Sequence, residues 1–266
     1  MTDSFLDRLA QPDPHEVAIR RIFPDGGGHE GGAVIDRPLV ILAFTNRCGS
    51  HLLGDYLRQT GHFAGFGEFL NHDVVATMQA RTSARSFPEH LASLAGQLCP
   101  RGQIFGVKAS AGQLAMLLRH RIPAMFSGLL VLHMTRRDVL AQAVSHSLAH
   151  QTGQWTSQQQ ARAETEPRFD LAQIEAVLRD IHRENEMIGL TCNVMGLPRM
   201  GIVYEDLVRN PATTVQRIAH RLDLDLGGWT AARPRLRKQA NSTNDAFCAT
   251  YRRLAQEALA RHLQTV

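Results

Sequence analysis

"PLVILAFTNRCGSHLLGDYLRQTG", residues 38–61, sets an almost unbroken apolar run against a polar turn and then a helical pattern. The run "PLVILAFT" has the composition of a strand buried on both faces of a parallel sheet. In "HLLGDYLRQTG", Leu52, Leu53, Tyr56 and Leu57 share one helical face, and Gly61 is a C-terminal stop. A tight turn from a buried strand into a helix presents backbone N–H groups and the positive end of the helix dipole, a geometry that binds oxyanions. The glycine-rich signatures G-x-x-x-x-G-K-[ST] and G-x-G-x-x-G are both absent. The turn offers instead Gly49 for close backbone approach, hydroxyls from Thr45 and Ser50, and a fixed positive charge from Arg47. The same residues also suit an ordinary strand-to-helix turn with a surface arginine.

The 266 residues are enough for one sizeable α/β domain. The net charge of +4 with only 6% aromatic residues argues against a nucleic-acid binder and suits an anionic small ligand. Cys48, Cys99, Cys192 and Cys248 form no C-x-x-C pair and read as reduced thiols in a cytoplasmic chain. The N-terminus shows no signal-peptide pattern, and no apolar run approaches the length of a membrane span. Residues 1–36, with the glycine-rich "PDGGGHEGG", are expected to be peripheral, so that the main domain occupies 37–266.

Three more runs predict strands: "QIFGVKA" (103–109), "GLLVLHMT" (128–135) and "RMGIVYEDL" (199–207). Helical patterns fill the gaps. Asp138 caps "VLAQAVSHSLAHQ", and Asn210 with Pro211 starts "NPATTVQRIAHRL". Leu171, Ile174, Val177, Leu178, Ile181 and Ile188 recur at helical spacing, and "NDAFCATYRRLAQEALARHL" closes the chain. The expected fold is α/β, a parallel sheet of P-loop-like type flanked by helices.

Further residues are candidates for anion contacts. Arg136 and Arg137 stand where a strand ends and a helix begins, and Ser145 follows Arg137 about two turns along that helix. A solvated arginine pair and a helix-interior serine fit the same pattern. "RPRLRKQANSTND" carries four basic residues from Arg233 to Lys238, which is either solvated surface or a loop returned to the ligand.

Taken in order, these segments resemble sulfotransferases that use 3′-phosphoadenosine 5′-phosphosulfate (PAPS). The resemblance covers residues 38–255. Arg47-Cys48-Gly49-Ser50-His51-Leu52 resembles that superfamily's 5′-phosphosulfate loop, and Arg137 with Ser145 resembles its 3′-phosphate motif. "YEDL" followed by "NP" is a further similar stretch. "TRRDVLAQAVSHSLAHQTGQW", "FGEFLN" and "FGVKAS" are similar to the bacterial trehalose 2-sulfotransferase type. The resemblance implies a sulfotransferase fold, PAPS as donor, a carbohydrate or glycolipid hydroxyl as acceptor and no metal. It leaves room for a homodimer. It also implies nucleotide contacts from Arg237 and Lys238, and charge stabilisation by Arg47.

Glu68, in "GFGEFLN" beyond the carboxyl edge of the sheet, is the candidate general base, a role the subgroup resemblance also implies. His51 is its rival. Cys48 and His51 depart from the superfamily's usual hydroxyl residues, although a protonated His51 could replace a lost hydroxyl by a charge-assisted bond. His146 and His150 lie four apart but have no third metal ligand in the pattern, and Trp155 suits either a sugar face or the core. Two rivals remain: a P-loop kinase, which would need Lys-[ST] at the helix start, and a sulfotransferase-like binding module without turnover.

Overall fold

Residues 39–44 are buried without a break, as a strand covered on both faces must be. The computed structural model describes residues 4–24, 26–155, 166–232 and 242–263. The chain runs α1 (Phe5–Ala10), α2 (Pro14–Ile22), β1 (Ile35–Phe44), α3 (Ser50–Gln59), β2 (Phe63–Gly67), α4 (His72–Thr82), α5 (Phe87–Leu98), β3 (Ile104–Ala109) and α6 (Ala111–Arg119). It continues with a 3-10 turn at Ile122–Met125, β4 (Phe126–Thr135), α7 (Val139–Thr152), α8 (Leu171–Val194), β5 (Arg199–Val203), α9 (Tyr204–Arg209), α10 (Pro211–Arg221) and α11 (Ser242–Leu263).

The described strands form a parallel sheet in the order β2-β3-β1-β4-β5. Alternation along β1 feeds two cores. Leu39, Ile41 and Ala43 pack with Leu94 of α5, Leu114 of α6 and Ile188 of α8. Val40, Leu42 and Phe44 pack with Leu53 and Leu57 of α3 and Ile218 of α10. A third cluster joins α7, α8 and α11 through Val144, Ile181 and Cys248. Because all the described strands are parallel, the turns after β1, β2, β3, β4 and β5 meet along one edge, where ligands of open α/β sheets bind.

The expected strands and the closing helix are present, with differences that have local causes. The stretch "GFGEFLN" (65–71) begins inside β2, an edge strand outside the expected set. Its sequence "FAGFG" has too few apolar residues to show a strand period, and its pairing with β3 shifts between Gly65 and Gly67. Gly65 has φ +89, and a side chain there would run into the Gly106 carbonyl oxygen. The run 199–207 stops being a strand at Val203, and Tyr204 opens α9. Asn210 precedes α10 but makes no side-chain capping bond, whereas Asp138 does cap α7 through the Ala141 N–H.

Residues 1–36, expected at the periphery, place Ile19 and Phe23 in the larger core. The buried Glu16 carboxylate pairs with Arg20 at 2.6 Å and with Arg119 of α6, which also reaches the Leu9 carbonyl. A buried carboxylate needs such partners, and here they dock α2 against α6. The basic run Arg233–Lys238, with its candidate contacts Arg237 and Lys238, lies outside the described residues.

Candidate active site

The turn after β1 is shaped by two left-handed residues, Arg47 (φ 65) and Gly49 (φ 96). A Cβ at Gly49 would lie 2.9 Å from Tyr204 Cε2 and closer still to Cδ2, so glycine is required by conformation and by space. Gln142 of α7 is fully buried and donates to Thr45 Oγ1 and the Asn46 carbonyl, each at 2.8 Å. These bonds fix the turn to a neighbouring helix. Cys48 is buried beneath it, and burial pushes its thiol up to about 11, so it is a packed neutral group. Ser50 opens α3.

Arg47 donates from Nε to Ser145 Oγ at 2.9 Å and from Nη1 to the Trp155 carbonyl at 2.5 Å. Burial first, and then the Arg136 charge, lower its hold on its proton. Two guanidinium groups so placed favour an anion between or beside them. Arg136 lies over the Tyr204 ring at 5.0 Å from its centroid. Arg137, more than half exposed, pairs with Asp206 at 2.5 Å, while its backbone N–H donates to Glu205. The structure therefore brings Ser145 to Arg47 and Arg137 to Asp206, and shows no hydrogen bond between Arg137 and Ser145.

On the other side of the turn, Lys108 of β3 projects to the face that carries Phe44. Its Nζ sits 4.3 Å from that ring's centroid. It donates to Glu68 Oε1 at 2.7 Å and to His51 Nε2 at 3.1 Å. Only 1% of the Lys108 side chain is exposed, against 39% for Glu68. Burial alone would raise the Glu68 pKa. Lys108, by charge and by hydrogen bond, outweighs it, with help from His51 and Asn71, and holds the carboxyl below the usual carboxylate range.

His51 sits where its charged form is disfavoured. Burial first, and Lys108 second, pull its pKa down to about 4. That setting favours the neutral ring near pH 7 and argues against the charge-assisted bond that a protonated His51 could make. Because Lys108 occupies Nε2, the ring's proton resides on Nδ1, where it can still donate. Lys108 thus engages the His51 lone pair as well as Glu68 Oε1.

His146 and His150 stack at 4.7 Å, and Trp155 meets both edge-on. Trp155 thus forms a wall beside Arg47. Among the described residues no group of three or more His, Cys, Asp or Glu could hold a metal ion, and no helix is long and apolar enough to cross a membrane.

The family described as Stf0 sulphotransferase matches over residues 39–254. The chain belongs to that family. The Stf0 match runs from Leu39 within β1 through most of α11 and leaves α1, α2 and the start of β1 outside it. Among solved structures the chain is similar to a sulfotransferase from Alicyclobacillus acidocaldarius, at 15% identity, covering 82% of this chain and 92% of that one, with a TM-score of 0.46. It is also similar to the sulfotransferase domain of the Synechococcus PCC 7002 olefin synthase, at 16% identity, covering 85% and 90%, with a TM-score of 0.43. No curated protein matches.

Three residues of this Stf0-family site escaped the sequence reading. Lys108 had a signal, a lone charge in an otherwise apolar strand. Gln142 and Tyr204 stood inside stretches that carry the resemblance, but their particular roles arise only when α7 and α9 are brought to the β1 turn.

Proposed function

We propose that the chain transfers the sulfuryl group of PAPS to a hydroxyl of a carbohydrate or glycolipid, releasing 3′,5′-bisphosphoadenosine (PAP). The observation that carries this reading is the meeting, at one sheet edge, of an anion-favouring turn and a lysine-held carboxylate. The cradle at Gly49, with space kept by Tyr204 for backbone alone, fits a phosphosulfate. The donor supplies the sulfuryl group and a phosphate leaving group.

The residues divide the work. The N–H groups of Gly49, Ser50 and His51, with Arg47, bind the charge that grows on the bridging and leaving oxygens. Glu68 takes the proton of the acceptor hydroxyl as its oxygen forms the new O–S bond and the bridging S–O bond breaks. Lys108 keeps Glu68 ionised and lends positive charge beside the sulfuryl oxygens. Arg137 and Ser145 serve the 3′-phosphate once Arg137 leaves Asp206 and Arg47 turns toward the phosphosulfate. Arg237 and Lys238 are further nucleotide contacts in this reading.

The test compares PAP, AMP and ATP·Mg²⁺ by calorimetry, followed by transfer from PAPS to a panel of sugars, glycolipids and lipopolysaccharide fragments. PAP should bind best. Preference for ATP·Mg²⁺ would favour a kinase, and PAP binding without transfer to any acceptor would favour a binding module.

A further inference from the structure

Glu68 is held at both carboxylate oxygens. Lys108 takes Oε1 at 2.7 Å, and Asn71 Nδ2 donates to Oε2 at 3.2 Å. Asn71 stands at the N-cap of α4, where an asparagine side chain ordinarily caps the helix, yet it makes no capping bond there. Its side chain bridges Glu68 to Gln113 of α6 instead, with Gln113 Nε2 donating to Asn71 Oδ1 at 2.9 Å.

Gln113 is itself fixed. It is the third residue of α6, nearly fully buried, and its Oε1 accepts the Ser110 backbone N–H at 3.0 Å in a capping box. That backbone group can only donate. The polarity of the whole chain follows from it: Ser110 N–H to Gln113 Oε1, Gln113 Nε2 to Asn71 Oδ1, Asn71 Nδ2 to Glu68 Oε2. Neither amide can flip without placing two like groups face to face. Glutamate would fill a capping box equally well, but only glutamine retains an N–H₂ with which to orient Asn71.

We infer that Asn71 and Gln113 are positioning residues, a relay that carries the direction of the α6 cap to Glu68 and keeps its carboxylate oriented and ionised. The inference deepens the reading of Glu68 as the base of sulfuryl transfer and rests on it for its functional meaning. The other groups facing this carboxylate are Lys108 from β3 and neutral His51 from α3.

Gln113→Glu reverses the relay while preserving the cap. The introduced carboxylate would accept from Asn71 Nδ2, the Asn71 amide would turn, and Oδ1 would face Glu68. The Glu68 pKa, read by ¹³C NMR of labelled glutamate carboxyls and assigned with Glu68→Gln, should rise by about one unit or more. In an Asn71→Ala background the same substitution should raise it far less, because no amide is left to turn. An equal rise with and without Asn71 would be a direct effect of the new charge and would overturn the relay, as would no rise.

Asn71→Leu is a second, independent arm. It removes the donor, and with the fold verified by circular dichroism it too should raise the Glu68 pKa; an unchanged value overturns the inference. None of these measurements needs donor or acceptor, so they stand apart from the proposed reaction. If the pKa moves as expected and no sulfate is transferred, the relay holds and the catalytic reading falls.

Discussion

Gly49→Ala perturbs the anion turn at its most constrained point. The residue has φ 96, and forcing an alanine into left-handed backbone costs about 1–2 kcal/mol. The new methyl also overlaps the Tyr204 ring, with 2.9 Å to Cε2, and overpacking of this kind costs about 1–3 kcal/mol. Together the loss should be about 2–5 kcal/mol, or roughly 4–20 °C in melting temperature for a chain of this size. Urea unfolding followed by circular dichroism measures it, and titration with PAP reports the turn's competence in the same samples. Tyr204→Ala separates the two causes. In that background Gly49→Ala should keep the backbone cost and lose the steric one, and PAP affinity should partly recover. A loss below about 1 kcal/mol, or an equal loss with and without the Tyr204 ring, would refute the account of this turn.

Two other perturbations follow from the same geometry. Arg137→Ala should weaken PAP about tenfold and leave AMP nearly unchanged, because only the 3′-phosphate is affected. Asp206→Asn should tighten PAP by releasing Arg137 from its partner, and equal effects on both nucleotides would remove Arg137 from the 3′-phosphate site. His146 offers a pH test: burial, then His150, bring its pKa from 6.5 down to about 4, and both its ring nitrogens are buried without a hydrogen-bond partner. A depressed pKa means that its contribution is whole above pH 6.5 and is lost as pH falls toward 4, so His146→Leu should flatten the fall in melting temperature over that window. Parallel melting curves for variant and wild type would contradict this.

The central strands were legible because burial on both faces leaves an apolar run that nothing else in a polar chain mimics. Asp138 and Gly61 were legible as punctuation. β2 was not, since an edge strand with two glycines in five residues carries no period. Glu68 could be placed beyond the sheet edge from its order in the chain, but Lys108, the strongest of the groups that lower its pKa, and Asn71, which bonds its other oxygen, approach it through tertiary packing. The ionisation of His51 stayed open in the sequence for the same reason: the lysine 3.1 Å from its Nε2 comes near only when β3 lies beside β1. Arg47 and Ser145 were both read as anion ligands, and their direct hydrogen bond could not be read, because it joins residues 98 positions apart.

The measurement that bears most directly on the account is transfer of radiolabelled sulfate from PAPS to a hydroxyl acceptor found in the glycan panel, for the wild type and for Glu68→Gln. The wild type should label the acceptor. The variant should bind PAP as before while kcat falls about 10²–10⁴-fold, since the proton moves only as the sulfuryl group does. Near-normal kcat in Glu68→Gln, with His51→Ala abolishing turnover at unchanged PAP affinity, would contradict the assignment of the base. A wild type that binds PAP and labels no acceptor would contradict the transfer itself.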